Sequence, residues 1–147
     1  MKFEFSAGGV VFRKKPSAIL GKMAIEVLLG QHSQHRGWVF PKGLIGDIKK
    51  GELKEETAIR EVKEETGITA RILKELTPIE YWYEWQGEKR KKKVYYFLME
   101  YVSGDTKDHD FEMANVEWVP IDKVENRLTF ASDKKVWQEA KKLILGM

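Results

Sequence analysis

The sequence predicts an α/β fold of the α+β kind, an α/β/α sandwich around a mixed β-sheet. Three observations predict it. Apolar and β-branched runs of strand length recur along the chain between turn-forming residues. Two segments, near 53–66 and 132–145, space their apolar residues as helices do. The first helix interrupts the strands and the second follows them, an order suited to a layer of helix on each face of one sheet. Periodicity leaves the order of the strands open.

Phe3 to Arg13 and Met23 to Gly30 read as strands, with a Lys-Pro-Ser turn region between them. A loop rich in Gln, His and Ser then runs to Arg36-Gly37. The first helix covers about 53–66, with Leu53, Ala58, Ile59 and Val62 as inward positions and Gly67 as a left-handed stop. Leu53 cannot cap that helix through its side chain, so Glu55 and Glu56 in the first turn compensate through the helix dipole. Ala70 to about Trp85 and Lys92 to Val102 are strand-like, joined by a turn at Gln86-Gly87-Glu88. Val116 to Val119 is a short strand, and Pro120 begins a turn or short helix. Ser132 is the expected N-cap of the last helix, whose stripe is Val136, Trp137, Ala140, Leu143 and Ile144 and whose end is Gly146.

At 147 residues and 42% apolar content the chain can bury one good core, and it shows neither an internal repeat nor a linker. One domain over 1–147 is the expectation. Disulfides are excluded because there is no cysteine. The first residues form no apolar signal-like run and no spanning segment follows, so the expectation is a soluble, cytoplasmic protein. A net charge of +3 is too small to argue for bulk nucleic-acid binding, and no stable nucleic-acid or membrane partner is expected. Oligomeric state is left open.

The densest chemistry lies between Gly46 and Ile68. Gly46, Glu52, Arg60, Glu61, Val62, Glu64, Glu65, Gly67 and Ile68 fit the pattern G-x5-E-x7-R-E-U-x-E-E-x-G-U, with U apolar. At ordinary residue frequencies such a match arises by accident on the order of once in a million chains of this length. Glu61, Glu64 and Glu65 stand at i, i+3 and i+4, on one helix face within a single turn. Like charges so close repel, and a hard divalent cation, Mg²⁺ or Mn²⁺, is their natural compensation. The plain alternative is a solvated acidic face. Gly46 and Gly51 let the preceding loop turn tightly. Arg60 can fork onto a carboxylate such as Glu52 and hold the charged site in shape.

That spacing is the signature of the Nudix hydrolases, which this chain resembles over most of its length. The likeness implies the Nudix fold, metal-binding Glu61, Glu64 and Glu65, and supporting roles for Glu52, Arg60 and Gly46 in orienting them. Ser6-Ala7-Gly8-Gly9-Val10-Val11 looks like the first strand of many family members. Trp38-Val39-Phe40-Pro41-Lys42-Gly43 resembles the W-x-(L/F)-P-K-G element of diadenosine polyphosphate hydrolases, in which the matching lysine, here Lys42, sits near the polyphosphate. Lys92 to Met99 resembles the same subgroup's K-x-V-x-Y-F-L strand, where aromatic residues help hold adenine. Lys92, Tyr95 and Tyr96 are therefore candidate substrate-binding residues. The two tyrosines must point to opposite faces, and each has core packing as its plain alternative.

The same subgroup implies a loop glutamate before the Val116–Val119 strand that joins the metal site or acts as base. Glu112 is the candidate, with Asp108, Asp110 and Glu117 as competitors and His109 as a further base at neutral pH. His32 and His35 could meet a phosphate at the mouth of the site. The basic run Lys89 to Lys93 either steers an anionic substrate or keeps a strand edge soluble. One departure is that the glycine of P-K-G usually begins the subgroup's glutamate pattern, whereas here Gly46 does, which makes the loop three residues longer.

The resemblance thus implies a metal-dependent pyrophosphohydrolase in which Glu61, Glu64 and Glu112 carry the catalysis. Its substrate would be a nucleoside diphosphate linked to another group, with diadenosine tetraphosphate cut asymmetrically to ATP and AMP as first choice. Nucleoside triphosphate or ADP-ribose hydrolysis, removal of pyrophosphate from RNA 5′ ends, and non-catalytic nucleotide binding are the alternatives.

Overall fold

A mixed sheet organises the computed structural model, which describes residues 2–46 and 50–147. Eight strands contribute among the described residues: β1 (Lys2–Pro16), β2 (Met23–His32), β3 (Trp38–Val39), β4 (Lys42–Leu44), β5 (Ile68–Glu75), β6 (Ile79–Trp85), β7 (Glu88–Gly104) and β8 (Met113–Pro120). The main order is β3-β2-β1-β7-β5, with β4 on β1, β6 on β7 and β8 on β2. β1 runs parallel to β7 from Lys2 opposite Arg90 to Phe12 opposite Glu100, while the other pairs are antiparallel. Ser6 to Phe12 of β1 are all buried, as a central strand covered on both faces requires.

Helix α1 (Lys54–Thr66) covers one face and α3 (Ala131–Leu145) the other, with the short α2 (Val124–Arg127) leading into α3. On the α1 side Ala7, Val11, Leu28, Phe97 and Met99 meet Ala58 and Val62. On the α3 side Val10, Leu29, Phe40, Tyr96 and Leu98 meet Val136, Trp137, Ala140 and Ile144. The sandwich expected from the sequence is thereby formed.

Several boundaries differ from the sequence reading. The expected strand from Ala70 to Trp85 is two strands, because Pro78 cannot donate to a ladder and the chain breaks at Leu76-Thr77-Pro78. The last helix begins at Ala131 with Phe130 as N-cap, and Ser132 lies inside its first turn. Gln86 and Gly87, at φ 51° and 76°, form the two-residue turn of the β6–β7 hairpin, a backbone that suits the twist of paired strands. Leu53 and Ile59 are 61% and 38% exposed. The buried face of α1 is instead Thr57, Ala58, Glu61, Val62, Glu65 and Thr66, so the helix is turned to press two glutamates inward. Gly67 closes it at φ 80°, as expected.

The Trp38–Leu44 segment is drawn onto β1. Gly9 N–H donates to the Pro41 carbonyl at 3.1 Å, and a Cβ on Gly8 would run into that same carbonyl. This close approach carries Lys42 and Gly43 to α1.

Candidate active site

Arg60 holds the acidic face of α1 together. Its Nε and Nη2 donate to the two oxygens of Glu52, both at 2.9 Å, a bidentate pair. Its Nη1 donates to Glu61 Oε1 at 2.8 Å and lies 3.1 Å from Glu64 Oε2. Thr57 Oγ1 adds a 2.6 Å hydrogen bond to Glu52, and the Gly46 backbone amide binds the same carboxylate. The hydrogen bonds from Arg60 are the main reason why the Glu52 carboxyl is held down at about 2. At the start of the helix, Leu53 N–H donates to Glu56 Oε1 at 3.1 Å, so Glu56 supplies the capping that Leu53 cannot.

Glu61 and Glu65 are 6% and 3% exposed, whereas Glu64 is turned outward onto Arg60. Glu65 accepts from Lys42 N–H at 3.0 Å. Burial, then the charge of Glu61, pushes the Glu65 carboxyl well above the usual carboxylate range; Lys42 opposes this, and Glu112 and Asp110 add to it. Gly43 lies so close that a Cβ there would strike the Glu61 carboxylate, so only glycine leaves that carboxylate its place.

Two buried carboxylates side by side, one resisting ionisation because of the other, form an all-oxygen site that a hard dication would relieve. Among the described residues no three acids or histidines are gathered as a ready-made ligand group, since Arg60 takes up Glu61 and Glu64. The chemistry of this buried carboxylate pair therefore fits a divalent ion.

The 105–112 loop borders the site. Asp110 N–H donates to the Glu64 carbonyl at 3.1 Å, Glu112 N–H to Asp110 Oδ1 at 3.0 Å, and Ser33 N–H to the Glu112 carbonyl at 2.9 Å. The Glu112 side chain is exposed at this rim, and its charge acts on Glu65. Of its competitors, Asp110 is tied to the same loop, Glu117 pairs with Arg127 at 3.2 Å, and Asp108 is exposed. His109 Nδ1 lies 2.7 Å from the Asp110 carbonyl.

Beyond Lys42 a cavity of about 380 Å³ opens toward α3, walled by His35, Tyr81, Tyr96, Phe130 and Asp133. Tyr96 is fully buried, its hydroxyl donating to Asp133 Oδ1 at 3.3 Å and its ring set edge-on to Phe40. Full burial of the Tyr96 side chain and its packing against Phe40 fit the core-packing alternative stated for it. Tyr95 points to the other side of the sheet, where Lys54 and Lys93 lie over its ring at 4.6 and 5.3 Å. Lys92, on the Tyr96 face, is half-buried; burial first and neighbouring Lys42 second lower its pKa to about 8. His35 stacks on His32 at 4.2 Å and accepts from Gly37 N–H at 2.9 Å. Burial first, then the nearby His32 and Lys42, lower its pKa, which favours the neutral ring.

The sequence reading missed Tyr81, Phe130 and Asp133. They come from β6 and from the start of α3, and the one available signal, an acid in the first turn of α3, is indistinguishable from ordinary dipole compensation. Burial raises the Asp133 carboxyl to about 6 against its ordinary 3.8, although Lys42 and the Tyr96 hydroxyl both lower it. Folded protein thus binds this proton more tightly than unfolded protein does. The cost of ionising it is absent below about pH 4 and complete above about pH 6. Asp133→Asn is expected to raise stability by about 1–3 kcal/mol at pH 7.5 and by nothing at pH 4, measured by urea unfolding at both pH values. An equal effect at the two would contradict this account.

No helix among the described residues is long and apolar enough to cross a membrane. Comparison with known proteins places the NUDIX domain over residues 3–141. The MutT4 protein of Mycobacterium tuberculosis (strain CDC 1551 / Oshkosh) is 40% identical over 146 residues, 96% of this chain. This chain spans 56% of the length of that relative. An asymmetrical bis(5′-nucleosyl)-tetraphosphatase of Rattus norvegicus is 31% identical over 141 residues, covering 91% of this chain and 90% of its own. Among solved structures, a binary complex of the Ap4A hydrolase of C. elegans superposes with a TM-score of 0.69 at 25% identity, over 98% of this chain and 99% of that one.

Proposed function

The chain belongs to the NUDIX family, and from that premise we propose that it is a metal-dependent nucleotide pyrophosphohydrolase whose preferred substrate is a dinucleoside polyphosphate. The observation that carries this reading is the bond from Lys42 N–H to buried Glu65. It fixes a lysine where the carboxylates end and the cavity begins. Diadenosine tetraphosphate would be hydrolysed asymmetrically, one water adding across one P–O–P anhydride to give ATP and AMP. The likeness to the rat asymmetrical bis(5′-nucleosyl)-tetraphosphatase and to the worm Ap4A hydrolase supports this choice.

Glu61, Glu64 and Glu65 would hold Mg²⁺ or Mn²⁺. When bound, the ion supplies neutralisation of the diphosphate and a lowered pKa for the attacking water. Lys42 and half-buried Lys92 face the polyphosphate and offset its charge. Glu61, or Glu112 from the rim, orients the water and takes its proton. Arg60 fixes where Glu61 and Glu64 point, and Glu52 with the Gly46 amide fixes Arg60. One nucleoside occupies the cavity walled by Tyr81, Phe130 and Asp133.

The test is incubation with diadenosine tetraphosphate and Mg²⁺, with the nucleotides resolved by ion exchange. Equal ATP and AMP is the expected result. Two ADP per substrate would overturn the asymmetric cut, and absence of turnover alongside hydrolysis of nucleoside triphosphates or ADP-ribose would overturn the substrate.

A further inference from the structure

β6 is an edge strand without the usual protection of an edge. It pairs with β7 on one side and, among the described residues, with no strand on the other. Alternate residues of such a strand aim their N–H and C=O groups outward, a template for a further strand, and proteins commonly blunt it with proline, lysine or a bulge. The strand from Ile79 to Trp85 contains neither residue, and its register against β7 is unbroken. Its two acids are met from β7, since Lys91 pairs with Glu80 at 3.1 Å and Lys89 stands opposite Glu84. Trp82 and Trp85 are each 55% exposed, a large apolar surface to leave beside an open ladder.

The strand is self-complementary. Antiparallel pairing with a second copy about a two-fold axis closes after two chains and removes the edge from both. Directly opposite residues share a face, so the axis must pass beside one residue. At Trp82 it would set Glu80 against Glu84 of the partner subunit, like charges face to face. At Tyr81 it would draw the partner toward Pro78, where α3 reaches the same edge through the 2.8 Å bond from Thr77 N–H to Glu139. At Tyr83 neither conflict arises. Tyr83 then meets its counterpart, and Tyr81 meets Trp85 of the partner subunit, aromatic pairs on the face that Tyr81 turns to the Lys42 cavity. On the other face Glu84 of the partner subunit comes opposite Trp82, whose ring has the Lys91 ammonium 5.5 Å away, so an acid arrives beside a cation.

We propose that the chain forms a two-fold dimer through β6, paired antiparallel with the axis at Tyr83. The two sheets become one, and each copy adds Trp85 to the rim of the other's cavity, beside Tyr81. This pairing is independent of the assigned reaction.

The mass in solution is measured first, by sedimentation of the wild type. Twice 17.1 kDa at about 100 μM is the expected result, a concentration that populates even a micromolar dimer. A mass of 17.1 kDa at every concentration up to that would overturn the proposal. The register is then read with single cysteines, since the chain has none of its own. Opposite Cα atoms of an antiparallel pair lie about 4.5–5.5 Å apart, inside the span of a disulfide, so Tyr83→Cys should link into a dimer on oxidation. Glu80→Cys, roughly 20 Å from its counterpart in this register, should not. Linkage at both positions, or at neither, would overturn the pairing. Trp82→Glu sets like charges opposite each other and should weaken the dimer at least about tenfold, while Trp82→Phe keeps it. Wild-type dimerisation in Trp82→Glu, with its melting temperature unchanged, would place the interface elsewhere and overturn the proposal as well.

Discussion

Glu64→Gln is expected to fold like the wild type and to lose turnover by roughly 10²–10³-fold, the scale on which removal of one electrostatic stabiliser acts. Normal folding follows from its position. The side chain is 38% exposed, contacts Arg60 and can keep an oxygen toward it as an amide. Loss of turnover follows from charge, since an amide cannot supply the third anionic ligand to a dication. The loss should fall on kcat with KM little changed, and Mn²⁺ affinity measured by calorimetry should weaken with it. Wild-type kcat at saturating Mg²⁺ would remove Glu64 from the metal site, whatever remained of Glu61 and Glu65.

Arg60→Met should have the largest effect on stability, a loss of about 3–5 kcal/mol at pH 7. The guanidinium is the cation shared by Glu52, Glu61 and Glu64, and the side chains of the first two are 5% and 7% exposed. Removing it leaves the two enclosed carboxylates without the cation that offsets their charge. For a chain of this size the melting temperature should drop by roughly 10–15 °C. The pH dependence gives the sign. Glu52 is held at about 2 in the folded state against an ordinary 4.5, so the stability it contributes is present above pH 4.5 and fades as pH falls toward 2. The deficit of the variant should shrink over that window, and adding Glu52→Gln to it should recover part of the loss at pH 7. A change below about 1 kcal/mol would mean that these pairs behave as surface ion pairs.

The acidic pattern was legible because its chemistry demands particular residue types at fixed separations along one helix. Its orientation was not. Spacing placed Glu61, Glu64 and Glu65 on one face, yet Ala58 and Val62 seek the sheet and carry Glu61 and Glu65 inward with them, leaving Glu64 at the edge. Leu53 and Ile59 look inward by composition and are exposed because the other face of the helix won the contact with β1 and β5. The cavity was almost wholly illegible, since Tyr81, Phe130 and Asp133 are ordinary strand and helix residues until a sheet brings them beside Lys42.

By itself the sequence determined the family, the sandwich of two helices about a sheet, and the acids that the reaction would need. These depend on local spacing and on the alternation of apolar residues, both of which are written along the chain. Only the tertiary structure decided which glutamates are buried, that Tyr96 is enclosed and Tyr81 offered, and that Asp133 faces Lys42. Those facts depend on contacts between segments far apart in sequence. Such contacts are fixed by which faces pack, and no window of neighbouring residues contains that information.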